Sequence, residues 1–216
     1  MSFKNNLKFI ICGTDTDVGK TLISSFFVRG LQSFYWKPIQ SGIDTETDSQ
    51  SILRLSGIQK KKILKEAYIF KKPVSPHWAA EIDGKKIDLN LLNLPSIDGS
   101  LVVETAGGLM VPITRNFLQI DQIRKWDLPV IIVCRSSLGT LNHTLLTIEA
   151  LKKRNIKILG LIINGEKHLD NPKTLREFSK LPIIAEFPRL NNIDKNNLDR
   201  LWKELNIEKN LASIIN

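Results

Sequence analysis

Apolar positions along the chain fall into two alternating spacings. Short runs at residues 8–12, 34–37, 101–104, 130–134, 158–163 and 183–187 are strand-like, and several are apolar without a break. Continuous runs of that length are what strands buried on both faces look like. Between them lie stretches of helical spacing at 20–31, 49–55, 141–153, 172–178 and 195–205. In the 141–153 stretch, Leu141, Leu145, Ile148 and Leu151 recur on one face. Strands alternating with helices predict an α/β fold: a mostly parallel sheet, right-handed crossovers and helices on both faces. Ligands in such sheets bind at the carboxyl ends of the strands. Residues 42–97 are the least regular and are expected to hold insertions around the second strand. With no repeat, low-complexity tract or linker, residues 1–216 are expected to form a single domain.

The first strand-like run leads into Gly-Thr-Asp-Thr-Asp-Val-Gly-Lys-Thr at residues 13–21, and a helical stretch follows. This is the order of a phosphate-binding loop (P-loop). Glycines let backbone N–H groups turn inward, a Lys reaches the β- and γ-phosphates, and a Ser or Thr holds Mg²⁺. Lys20 and Thr21 fill the last two roles, at a helix N-terminus whose dipole favours anions. The usual first glycine is offset by one, with Thr14 in its place and Gly13 before it. Mg²⁺ needs hard oxygen ligands. Glu104 ends an apolar run and would emerge beside the loop, followed by Ala106-Gly107-Gly108, whose small residues let backbone approach a ligand. Asp48, in Thr47-Asp48-Ser49, is a second acid for the metal, or else only the cap of a helix.

Composition adjusts this picture little. The 216 residues are 42% hydrophobic and 25% charged, which is globular. The net charge of +9 invites a nucleic-acid partner, but the basic residues are scattered and the densest run, Lys60-Lys61-Lys62, is three long. Without aromatic interleaving, no nucleic-acid binding is expected, and the same field would steer a small anionic substrate. No apolar run is long enough for a bilayer, so no membrane association is expected. Residues 1–7 are polar, and no secretory leader is expected there. Cys12 and Cys134 lie in apolar runs and read as buried thiols of a cytoplasmic protein.

Taken in order, the motifs resemble the dethiobiotin synthetases of the P-loop NTPase superfamily. The family's hallmarks are a Gly-Thr-Asp-Thr-acid-Val-Gly-Lys-Thr loop, a Lys-Pro…Ser-Gly segment and a Val-Glu-x-Ala-Gly-Gly segment. The chain has residues 13–21, then Lys37-Pro38-Ile39-Gln40-Ser41-Gly42, then Val103-Glu104-Thr105-Ala106-Gly107-Gly108. Ser75-Pro76-His77, residues 138–143, Asn164 and Glu186-Phe187-Pro188 also match family segments, so the likeness runs to about residue 190. Departures are Asp17 where Glu is common, Thr105 for a usual Gly, Gly165 where Asp is frequent, and a short connection from Gly42 to Asp48.

The resemblance implies a P-loop NTPase-like fold and ATP-dependent closure of a ureido ring. CO₂ (from bicarbonate) adds to one amine of 7,8-diaminononanoate as a carbamate, ATP phosphorylates it, and the second amine displaces phosphate. It also implies roles. Lys37 and Lys20 would be catalytic. ATP would meet Asp17, Val18, Gly19, Lys20, Thr21, Leu22, Asp48, Glu104, Thr105, Ala106 and Gly107. Asn164, Gly165, Pro188, Arg189 and Leu190 would surround its base. Thr21, Asp48 and Glu104 would hold Mg²⁺. Thr14, Ser41, Gly107, Gly108, Leu141 and Asn142 would bind the diamine substrate, the last two from the neighbouring subunit of a homodimer. The loop's two acids then have separate tasks: Asp17 faces the reacting diamine, and Asp15 bonds within the loop.

Two other classes share parts of the pattern. A small GTPase would share Glu104-Thr105-Ala106-Gly107, but its Asn-Lys-x-Asp motif is missing at Asn164-Gly165-Glu166-Lys167. A partitioning-type ATPase switch carries an early loop Lys where this chain has Asp15.

Overall fold

The structure is a computed structural model that describes residues 6–43 and 46–215. Residues 1–5 of the expected leaderless N-terminus, and residues 44–45 of the short connection, lie outside the described residues. Along the chain run β1 (Lys8–Gly13), α1 (Lys20–Leu31), β2 (Phe34–Trp36), β3 (Ile39–Ser41), α2 (Asp48–Ser56), β4 (Tyr68–Phe70) and α3 (Pro76–Ile82). Then come β5 (Leu101–Gly108), β6 (Pro112–Thr114), β7 (Phe117–Leu118), α4 (Gln119–Trp126), β8 (Val130–Arg135) and α5 (Thr140–Lys152). The chain continues through β9 (Ile158–Asn164), α6 (Asn171–Ser179), β10 (Ile183–Phe187), α7 (Lys195–Glu204) and α8 (Ile207–Ile215).

The six predicted strands form one parallel sheet, in the order β10-β9-β8-β1-β5-β2. Its centre, β1, shows why the run is apolar at every position. Phe9 and Ile11 pack on one face against Phe26 and Phe27 of α1, Leu198 of α7 and Leu211 of α8. Ile10 and Cys12 pack on the other, against Ile120 and Ile123 of α4 and Ile148 and Leu151 of α5. A strand covered by helices on both sides has no polar face to offer. Among the described residues, no helix is long and apolar enough to cross a membrane.

Local signals set the edges that matter for the site. Helix α1 starts after Gly19, whose φ of 95° is left-handed, and ends at Gln32, also left-handed, with its N–H returned to Val28 and Arg29 carbonyls. Its Gly30 lies under the Trp202 indole, part of an aromatic cluster with Phe26, Phe27 and Phe187. Helix α2 opens with a capping box between Thr47 and Gln50. Strand β5 runs past Glu104 through Gly107 and Gly108, where a loop was expected, because Gly108 pairs with Gly13 across a register shift.

The irregular region is partly ordered. Strands β3 and β4 pair in parallel, and Ile39, Phe70, Ala79, Ala80, Leu92 and Ile113 form a small third core cluster. Periodicity separates strand from helix poorly over two to nine residues, and α3, α4, α8, β3, β4, β6 and β7 were not anticipated, although β2 of three residues and α2 and α6 of nine were.

Candidate active site

The loop from Gly13 to Thr21 is held from inside and from both flanks. Asp15 Oδ1 accepts from the Thr16 N–H at 2.7 Å, and its carboxylate lies 3.5 Å from the Arg135 guanidinium. Arg135 also donates to the Thr16 carbonyl at 2.9 Å. Asp15 therefore braces the loop. On the other flank, Asn164 Nδ2 donates to the Val18 carbonyl at 2.9 Å. A Cβ on Gly19 would stand 2.1 Å from that nitrogen, so both the φ of 95° and the close contact require glycine here. Lys20 is 7% exposed, and its ammonium donates to the Asp15 carbonyl at 2.9 Å. Burial holds its pKa below the ordinary lysine value; Glu104 opposes this shift and the neighbouring Lys37 cation adds to it.

Beside the loop, three oxygens converge. Thr21 Oγ1 lies 2.7 Å from Asp48 Oδ1 and 2.8 Å from Glu104 Oε1. One hydroxyl proton serves one of these contacts at a time. The donor set, two carboxylates and a hydroxyl, is hard oxygen, and it suits a Mg²⁺ that keeps its remaining positions for water and phosphate. Among the described residues, no group of three or more His, Cys, Asp or Glu side chains could hold a metal by itself. The cap of α2 is Thr47, so Asp48 is free of capping and turns to the site. Gln40 anchors it there: its Oε1 accepts from the Asp48 N–H at 3.2 Å, and its Nε2 donates to the Gly42 carbonyl at 3.0 Å.

Lys37, 6% exposed, donates from Nζ to Asp48 Oδ2 and, at 3.2 Å, to Glu104 Oε1. Burial acts to lower its pKa, but Glu104 and Asp48 outweigh it and hold the group above the ordinary lysine value. For Asp48, burial pushes the other way, and the Lys37 cation prevails to lower the carboxyl pKa. The second oxygen of Glu104 accepts from the Tyr35 hydroxyl at 3.1 Å.

A cavity of about 720 Å³ collects Asp17, Gly19, Lys20, Thr21, Lys37, Ser41, Asp48, Glu104, Ala106 and Gly107. The Ser41 hydroxyl is buried against it without a hydrogen-bond partner, a polar atom left for a ligand. Val18 and Leu22 pack into the core below. Thr105 turns away, its buried hydroxyl 3.4 Å from the Ile11 carbonyl. Other expected residues lie apart. Thr14 and Gly108 line a second hollow of about 400 Å³ with Met110, His143 and Leu146. Leu141 and Asn142 stand in the first turn of α5 and line neither cavity; the cap there is Gly139, with no side-chain bond. Asn164 and Gly165 leave the end of β9, and Pro188, Arg189 and Leu190 follow β10, beyond the loop and outside the main cavity. Tyr35, Gln40 and Arg135 were not anticipated. Tyr35 lies two residues before Lys37 on an extended run, which sets both toward Glu104, but the sequence carries no sign of that shared partner.

Known proteins resemble the chain along most of its length. A family model described as an AAA domain matches residues 8–197. An ATP-dependent dethiobiotin synthetase of Rhodopseudomonas palustris is 48% identical over 84% of this chain and 85% of that protein. One of Brucella anthropi is 42% identical over 92% of this chain and 94% of that protein. Among solved structures, the septum site-determining protein MinD of Pyrococcus horikoshii, complexed with Mg-ADP, superposes with a TM-score of 0.55 at 11% identity, over 98% of this chain and 96% of that one. A ParA family ATPase of Chlorobium tepidum gives 0.52 at 10% identity, over 96% and 98%. At such identities the structural likeness shows the fold alone.

Proposed function

The chain belongs to the dethiobiotin synthetase family, and from that premise we propose that the main cavity holds the reacting ends of ATP and the diamine. The enzyme is an ATP-dependent dethiobiotin synthetase, a ligase of biotin biosynthesis; in the proposed reaction it joins CO₂ to 7,8-diaminononanoate and closes the ureido ring of dethiobiotin, releasing ADP and phosphate. The observation that carries the site assignment is the convergence on one cavity of two buried lysines and a hydroxyl flanked by two carboxylates.

An alkylamine must lose its proton before it attacks CO₂, and its free pKa is about 10. Nearby cations favour the neutral amine and then stabilise the carbamate anion. Lys37 has three donor hydrogens and uses two on Asp48 and Glu104, which leaves one for the carbamate. Lys20 lies where the loop delivers the β- and γ-phosphates and exchanges its bond to the Asp15 carbonyl for them. A carbamate oxygen attacks the γ-phosphorus and ADP leaves; the second amine attacks the carbonyl carbon of the mixed anhydride and phosphate leaves. Ser41 offers the unpartnered hydroxyl to the carbamate, and Asp17, on the exposed rim, attracts the diamine. Thr21, Asp48 and Glu104 would hold Mg²⁺, which when bound offsets charge on the phosphates.

The distance of Leu141 and Asn142 from this cavity fits a homodimer in which the uncapped start of α5 receives the substrate carboxylate from the neighbouring subunit. Asn164 and the segment after β10 would contact adenine. The buried free thiols suit a cytoplasmic enzyme. The test of the reading is ADP release measured with bicarbonate and diamine supplied separately and together. Turnover is expected only with both; equal ATP hydrolysis without the diamine would overturn it.

A further inference from the structure

Glu104 is enclosed from both ends. Its Oε1 faces Thr21 at 2.8 Å and Lys37 at 3.2 Å, while Oε2 accepts from the Tyr35 hydroxyl at 3.1 Å. Both Glu104 and Tyr35 are 0% exposed. We propose that Tyr35 is a positioning residue for the metal site: its phenol occupies one oxygen of Glu104 so that only the other is presented to the cation. The proposal rests on the reading of Glu104 as a Mg²⁺ ligand.

A Glu side chain can turn its carboxylate to offer one oxygen or two, and Mg²⁺ accepts only near-octahedral arrangements with short bonds. A partner on Oε2 removes the two-oxygen option and fixes the carboxylate plane. Tyr35 reaches Oε2 from the buried side, away from the cavity that Glu104 lines, so bulk water does not compete with the phenol there. A cationic partner would compete with Lys20 and Lys37 for the same carboxylate, whereas a phenol adds a donor without charge. The phenol is also tied to the strand it serves. Tyr35 lies opposite Val102 in the β2–β5 pairing, and its carbonyl accepts from the Leu64 N–H at 2.9 Å. Glu104 is on the same strand, so the two side chains cannot drift apart without unzipping the sheet. Outer partners that orient a metal ligand typically change affinity by about 10–100-fold when removed.

Tyr35→Phe keeps the ring and deletes the donor. With ADP bound, Mn²⁺ titrated in place of Mg²⁺ and followed by its electron paramagnetic resonance is expected to bind about tenfold more weakly, while ADP affinity in chelator is unchanged. The Mg²⁺ concentration for half-maximal turnover should rise in step, and kcat at saturating Mg²⁺ should return to within about twofold of the parent. Mn²⁺ affinity equal to the parent, with or without a lowered urea midpoint, would mean that the phenol only fills the core, and would overturn the proposal. Glu104→Gln is run beside it. If that variant also keeps full Mn²⁺ affinity, the ligand reading itself falls and the proposal with it; if it loses affinity and Tyr35→Phe does not, only the proposal falls. A measurement without substitution guards against a variant that fails to fold. The chain has two tyrosines, so 3-fluorotyrosine labelling gives two fluorine signals, with Tyr68 as the internal reference. The Tyr35 signal should move when Mg²⁺ is added to the ADP complex; a signal that stays still would count against the assignment.

Discussion

At the scale of single residues, the site is held together by a cation between two acids. Lys37→Met leaves Asp48 and Glu104 facing one another with only Lys20 nearby to offset them. Breaking a buried pair by removing one partner costs about 3–5 kcal/mol, and part of this should return when Mg²⁺ is added. Turnover should fall by about 10²–10³-fold, because the carbamate loses its nearest donor. The pH dependence follows from the two shifts. The Asp48 pKa is lowered, so its contribution is complete above the ordinary carboxylate range and is lost as pH falls through the lowered value. The Lys37 pKa is raised, so its contribution is complete below the ordinary lysine range and is lost as pH rises through the raised value. The gap in urea stability between the parent and Lys37→Met should therefore be flat from about pH 5 to 9 and narrow in acid. A gap that widened below pH 4 would contradict the pairing. Lys20, Thr21 and Glu104 were singled out from phosphate and metal chemistry and Lys37 from the family resemblance, and the structure brings all four to one cavity. Tyr35 was not legible, since nothing in a sequence shows which side chain a phenol meets 69 positions away.

At the scale of elements, the strands of the central sheet and helices α1, α2, α5, α6 and α7 were readable, while α3, α4, α8 and the four strands outside that sheet were not. Strand β1 and helix α1 announce themselves by an unbroken apolar run and a left-handed glycine. Helix α4 is eight residues long, with Ile120, Ile123 and Trp126 buried, and so few turns give no period. The end of β5 was misplaced because Ala106-Gly107-Gly108 reads as loop, while pairing with β1 keeps it extended. Gly30 carries the sharpest conflict between local preference and packing. It sits inside α1, where Ala would be favoured by about 1 kcal/mol. Yet a Cβ there would lie 2.2 Å from Trp202 Cε3, inside the contact distance of a ring locked by Phe26 and Phe27. Overpacking wins: Gly30→Ala should destabilise the fold by about 1–3 kcal/mol in urea unfolding. Paired with Trp202→Leu, most of that loss should disappear.

At the scale of the whole molecule, the alternation of strands and helices was enough for a parallel sheet with two covered faces, while the strand order was visible only in three dimensions. The proposed dimer makes a prediction at this scale. A Lys37→Gln chain and a chain altered at Leu141 and Asn142 should each be inactive alone. Randomly mixed two-fold dimers contain one intact site in half of the pairs, so activity should recover to about a quarter of the parent. No recovery, with mixed dimers demonstrated, would place each complete site within one chain. The two cysteines lend the sheet a different property. Cys12 and Cys134 lie on the neighbouring strands β1 and β8, both with no exposed surface, and burial pushes the Cys12 thiol up to about 12. Burial disfavours ionisation of both thiols and shields them from reagents while β1 and β8 stay paired and covered. Their alkylation is thus a clock for the opening of the central sheet, and a thiol introduced on the surface would be the one position that dyes and cross-linkers find first.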